Sequence, residues 1–192
     1  MRMAIVALLG ACGAPSFCPE LDHLEGGACV APTSAITVDG DAADWEVAPA
    51  PAACDTCKPG DVTRVRGART PDGRMALLVE VEGAVMVDAT HSYRISLAPV
   101  SGPLYYLAVR ARAGMTSELS LTELPITGLP VEQGFGAALE IALPLAALPF
   151  AGGCSIEAGL ETLTDQGWVA ELYSTRTATV CWDPASPACA AL

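Results

Sequence analysis

The sequence predicts an all-β protein: a single antiparallel β-sandwich with jelly-roll or immunoglobulin-like layers, carried behind a cysteine-containing N-terminal tether. Three observations predict it. In several short runs apolar residues recur at every second position, the period of a half-buried strand. Turn signals separate those runs, at Pro71-Asp72-Gly73, Ser101-Gly102-Pro103 and Asp165-Gln166-Gly167. Fifteen prolines and eighteen glycines punctuate the chain, with hardly a helical period between them.

The strands follow in order. Met75, Leu77, Val79 and Val81 share one face of a run whose other face includes Glu80 and Glu82. Tyr93, Ile95 and Leu97 alternate with Arg94 and Ser96, and Leu104 to Arg112 is apolar at most positions, as a strand covered on both faces would be. Leu139, Ile141 and Leu143 alternate with Glu140, while Ile156, Ala158 and Leu160 alternate with Glu157 and Glu161. Pro144 to Leu148 has room for one helical turn. No internal repeat is visible.

The first residues have the layout of a secretion signal. Arg2 supplies a positive charge, Ala4 to Leu9 an apolar run, and Gly10-Ala11 two small residues before Cys12. The apolar run is far short of the roughly 20 residues a spanning helix needs. Leu9-Gly10-Ala11-Cys12 resembles the lipobox of bacterial lipoproteins, in which the cysteine thiol receives a diacylglycerol before cleavage. That resemblance implies residues 1–11 as signal, lipid on Cys12 and a membrane as partner, since several acyl chains at about 0.8 kcal/mol per buried CH₂ make a durable anchor. The alternative is ordinary cleavage near Cys12 and a secreted, soluble chain. Gly13 lacks the acidic character that retains some lipoproteins at an inner membrane, so the expected address is the cell envelope, at an outer membrane.

Composition narrows the partners. The formal net charge is −12, and Lys58 is the single lysine. Such a surface repels nucleic acid and anionic headgroups. It would accept a cation such as calcium, but a solvated acidic surface is the better account of the charge. The length suits one core, with a tether over residues 12–33, a sandwich over 34–183 and a tail over 184–192.

Eight cysteines, at positions 12, 18, 29, 54, 57, 154, 181 and 189, read first as disulfides in an exported chain. Chain order suggests Cys18 with Cys29, closing a loop worth about 3 kcal/mol of local order. Cys54 with Cys57, and Cys154 with either Cys181 or Cys189, would follow, though spacing does not fix connectivity. Lipid on Cys12 leaves seven, so one thiol stays free or pairs between chains. Cys54-Asp55-Thr56-Cys57 has C-x-x-C spacing but lacks the following helix that lowers a thiol pKa in redox motifs, so a loop disulfide is expected. His23 and His91 are not near it in sequence, which argues against zinc.

Two further stretches go beyond generic β structure. Ile36-Thr37-Val38-Asp39-Gly40-Asp41-Ala42-Ala43-Asp44-Trp45 resembles the opening of family 9 carbohydrate-binding modules and their DOMON-like relatives: an aliphatic strand, Asp-Gly, a few polar residues and a Trp. Ala138 to Leu148 is similar to that family's late strand, which carries an acidic residue and ends at a proline, here Pro144. The resemblance spans roughly residues 34–183 and implies a ligand-binding sandwich rather than an enzyme. Asp39-Gly40 should form a tight turn, because Gly accepts φ > 0 and Asp can bond the backbone ahead. Trp45 should pack as a lid over one end of the core, and Pro144 should end its strand.

Sugar binding in such modules rests on aromatic faces and hydroxyl-binding polar groups, and the family clamps its sugar between two tryptophans. With three Trp, four Tyr and three Phe, the chain offers Trp168, Trp182, Tyr105 and Tyr106 as candidates. For Trp168 and Trp182 a role in core or disulfide packing is the stronger reading. Some DOMON-like domains hold b-type haem between a Met and a His, which would draw on Met75, Met86 or Met115 with His91, although strand methionines are more often core. Neither haem nor any other cofactor is expected. Hydrolytic motifs such as G-x-S-x-G and H-E-x-x-H are absent, so no catalytic residue is assigned. The expected function is a membrane-anchored, non-enzymatic lipoprotein binding a glycan or another envelope ligand. The alternative is a structural lipoprotein that has lost sugar binding.

Overall fold

The computed structural model describes residues 23–25, 28–30, 36–45, 56–102, 104–112, 115–122, 132–170 and 176–183. Two antiparallel sheets pack face to face, and the chain is an all-β sandwich. A small hairpin of β1 (His23–Glu25) and β2 (Ala28–Val30) lies within the stretch expected to be an irregular tether.

The smaller sheet has the order β3 (Val62–Arg69), β4 (Arg74–Val81), β9 (Ala138–Pro144), β8 (Glu132–Phe135). The larger has six strands. β10 (Gly153–Thr164) pairs along one edge with both β12 (Arg176–Cys181) and β11 (Gly167–Ala170). Along its other edge follow β5 (His91–Pro99), β6 (Tyr105–Arg112) and β7 (Met115–Thr122). The anticipated helical turn is a single 3-10 turn, Leu145–Ala147, entered from Pro144.

Register explains the core. Met75, Leu77 and Val79 stand opposite Leu143, Ile141 and Leu139, and all six are fully buried. Across the sandwich, Ile156, Ala158 and Leu160 stand opposite Leu97, Ile95 and Tyr93. Because side chains alternate, each sheet sends one parity inward, and each fully buried aliphatic side chain contributes about 1.5–3 kcal/mol. Tyr93 reaches through this layer. Its hydroxyl donates to Gly60 O at 2.9 Å and accepts from Met86 N at 3.1 Å, and burial pushes its pKa up to about 12.

β3 (Val-Thr-Arg-Val-Arg-Gly-Ala-Arg) shows no clean alternation, because its inward parity carries Gly67 where an aliphatic residue is expected. That space is taken by the other sheet. A Cβ on Gly67 would lie 1.8 Å from Val180 Cγ2 and 2.9 Å from Ile156 Cδ1, so β12 fills the gap and closes the sandwich against β3.

Candidate functional site

Besides the ion pairs of Arg64 and Arg66 with Glu80 and of Arg74 with Asp72 and Glu132, polar chemistry gathers in a strap over the outside of the four-stranded sheet and in a cleft on the outside of the six-stranded one.

The strap is residues 36–45. Gly40 takes φ +87°, and Asp39 Oδ1 accepts from Asp41 N at 2.9 Å, as the Asp-Gly turn requires. Asp41 then caps the short 3-10 turn Ala42–Asp44 through Ala43 N. Trp45 is buried, and its position differs from the expected one. It covers the outer face of the sheet, with Ile36, Ala68, Ala76, Leu78 and Ala138, rather than one end of the core. The cause is strand parity: Ala76 and Leu78 are apolar on the outward side of β4 and need a cover.

Glu140 holds the strap down. This fully buried carboxylate accepts from Asp39 N at 2.9 Å, Gly40 N at 2.7 Å and Trp45 Nε1 at 2.6 Å. Burial pushes its pKa above the usual 4.5, against the lowering effect of those three donors, and the charge of Asp44 adds to the rise. The two stretches that carry the family resemblance therefore meet at one side chain. Pro144 ends β9, and the amide of the next residue, Leu145, bonds Gly73 O at 3.0 Å.

The cleft lies on outward positions of four strands. Thr177 on β12, Glu157 on β10, Ser96 on β5 and Tyr106 on β6 stand opposite one another in one row across the sheet. Neighbouring strands are about 4.8 Å apart, so this row spans roughly 14 Å. Arg94, Ala98, Leu104, Ser155 and Ile156 complete an open hollow of about 220 Å³. The Arg94 guanidinium sits 5.7 Å from the Tyr106 ring centroid, with its Nε 3.4 Å from Glu161 Oε1. Ser92 Oγ donates to the other Glu161 oxygen at 3.3 Å.

The four candidate aromatics are not brought together. Tyr105 points into the core and stacks on Phe150 at 5.4 Å, and Phe150 meets Trp182 at 5.8 Å. Tyr106, one residue on, takes the opposite parity and lines the cleft. Trp168 stands opposite Leu163, whereas Trp182 follows Cys181, which stands opposite Gly153. Ten residues of β10 separate those positions, roughly 33 Å at strand rise. Two tryptophans so placed do not close on one sugar ring. Chain order missed Arg94, Ser96, Glu157 and Thr177 as a group. Their polarity at alternate positions is legible, but their register is not.

The cysteines correct one expectation. Cys154 is buried and unbonded, so it pairs with neither Cys181 nor Cys189. Cys154 stands opposite Val180 on the inward side, while Cys181 stands opposite Gly153 on the other parity, and a one-residue offset turns the two thiols to opposite faces. Cys57 and Cys181 are each engaged in a disulfide. Cys29 lies in β2, and Cys12, Cys18, Cys54 and Cys189 fall outside the described residues. Burial pushes the Cys154 thiol up to about 12. It should resist thiol reagents in the folded chain and react once the chain is unfolded without reductant. Labelling of Cys154 in the native protein would contradict this placement.

Of the residues considered for haem, the Met115 side chain lies outside the described residues and the others are dispersed. Met75 is sealed in the core, Met86 packs against Gly60, and His91 Nδ1 lies 2.9 Å from Asp88 Oδ2 on an exposed turn. No group of three or more His, Cys, Asp or Glu side chains able to hold a metal occurs among the described residues. None of their helices is long and apolar enough to cross a membrane. Compared with known proteins, the chain matches no family model and no curated protein.

Proposed function

We propose that this protein is an exported lipoprotein, anchored at the cell envelope through Cys12, whose sandwich binds a glycan or another envelope ligand without catalysing a reaction. The cysteine count carries the anchor. With Cys154 buried and unbonded, seven of the eight cysteines remain, an odd number, so at least one more does not pair within the chain. Cys12, at the end of the lipobox-like stretch, accounts for it. The binding reading is supported by the outward cleft, which sets an aromatic ring among hydroxyls and charges in the manner of a polyol site. The outer-membrane address rests on Gly13.

Two measurements test the reading. Palmitate supplied to a bacterial host should label the full chain, and Cys12→Ser should lose the label and release the protein in soluble form. An unlabelled chain, or a disulfide-linked dimer that disappears in Cys12→Ser, would overturn the anchor. A glycan array with the full chain tests binding. The distance between Trp168 and Trp182 favours the second reading, a structural lipoprotein without a sugar site, and an array with no hits would establish it.

A further inference from the structure

We infer that the ligand surface is the outward face of the six-stranded sheet, and that it takes a single uncharged, polyhydroxylated ring. This rests on the binding reading above but puts the site away from the tryptophan pair that the family resemblance implies.

Charge comes first. Among the described residues, Arg94 is the one basic side chain lining the cleft, and its charge is already engaged: Glu161 pairs with its Nε, and the Tyr106 ring lies beneath its guanidinium. Glu157, exposed in the middle of the Thr177–Glu157–Ser96–Tyr106 row, is then the cleft's uncompensated charge. An anionic ligand would meet that carboxylate on a protein of net charge −12. A cationic ligand would gain from Glu157 but would have to settle beside Arg94, which already occupies the aromatic contact a cation would seek. A neutral ligand escapes both penalties.

The lining specifies its chemistry. The Glu157 carboxylate accepts hydrogen bonds only, Arg94 donates only, and the hydroxyls of Ser96, Ser155, Thr177 and Tyr106 do both. Interleaved with them, Ala98 and Leu104 offer apolar contact. A ring with hydroxyls at its edge and C–H groups on its face matches this alternation, whereas an alkyl chain would leave the polar groups unpaired. The hollow of about 220 Å³ is smaller than the roughly 300 Å³ at which pockets begin to enclose drug-sized ligands, so it holds one ring of a longer chain.

The test is calorimetric titration of the full chain with three oligosaccharide sets: neutral gluco-, manno- and galacto-oligosaccharides, anionic oligogalacturonates, and cationic chitosan oligomers. At least one neutral series should bind, with both charged sets weaker. Tyr106→Ala and Glu157→Ala should each weaken that binding by about tenfold or more, the loss of a well-placed contact. Their thermal unfolding should stay unchanged, because both side chains lie on the outward face. Tighter binding of a charged set would overturn the inference and leave the glycan reading standing. Neutral binding indifferent to both substitutions would also overturn it, by placing the site elsewhere. If no set binds, the inference and the glycan reading fall together.

Discussion

Glu140→Ala is expected to be the most damaging single substitution on the outside of the sandwich. It orphans the buried Gly40 amide and Trp45 indole N–H and the part-buried Asp39 amide, and each unsatisfied buried donor costs about 1–3 kcal/mol. The two buried donors alone come to about 2–6 kcal/mol, a large share of the 5–15 kcal/mol that typically holds a domain together. Glu140→Gln keeps an acceptor for the two amides but turns an NH₂ toward the Trp45 indole, so it should lose about half as much. Denaturant unfolding measures both, and acrylamide quenching should report Trp45 becoming accessible. A loss below about 1 kcal/mol in Glu140→Ala would mean that the strap is held by apolar contact alone.

The same carboxyl imposes a pH dependence of known sign. Burial holds its folded pKa above the ordinary 4.5, so between that value and the raised one the folded chain keeps a proton the unfolded chain has lost. Folding takes up a proton in that window, and stability falls as pH rises through it, then stays level above it. In Glu140→Gln this contribution to the slope should vanish.

Gly40→Ala is expected to undo the same docking from the other side. Gly40 sits at φ +87°, where an L side chain costs about 1–2 kcal/mol. Its new Cβ would also lie 2.4 Å from the carbonyl carbon of Phe135 and 2.5 Å from Gly136 N, which are backbone atoms that no rotamer change can clear. The approach is mutual: a Cβ on Gly134 would come 2.5 Å from Gly40 N, and one on Gly136 would come 2.6 Å from Gly40 O. Relieving the clash means lifting the strap off the β8–β9 hairpin, which also breaks the bonds to Glu140. A loss of about 3 kcal/mol or more should appear in denaturant unfolding, summing the backbone strain and the broken bonds. The double variant with Glu140→Ala should fall well short of additive, because both substitutions destroy one contact. Full additivity would show that the two residues act independently.

How much of this was legible beforehand differs from element to element. The inward faces of β4, β5, β9 and β10 are written in the chain, because alternation needs only neighbours two residues away. Tyr93-x-Ile95-x-Leu97 and Leu139-x-Ile141-x-Leu143 read as strands wherever they are met. The Asp39-Gly40 turn, the proline end of β9 and the three glycine turns were legible for the same reason. β3 was not, since Gly67 makes sense only once Val180, more than a hundred residues later, stands against it. Glu140 looked like an ordinary outward acid and is instead a buried anchor.

By itself, then, the sequence determined an all-β chain, the parity of its core and the turns between its strands, all of them short-range consequences of backbone geometry. The tertiary structure decided which outward residues are covered and which meet. Long-range pairing set the register, and a shift of one residue sends a side chain to the other face. That is why Tyr105 lies in the core and Tyr106 in the cleft, why Cys154 cannot reach Cys181, and why Thr177, Glu157, Ser96 and Tyr106, from four separate strands, fall into a single row.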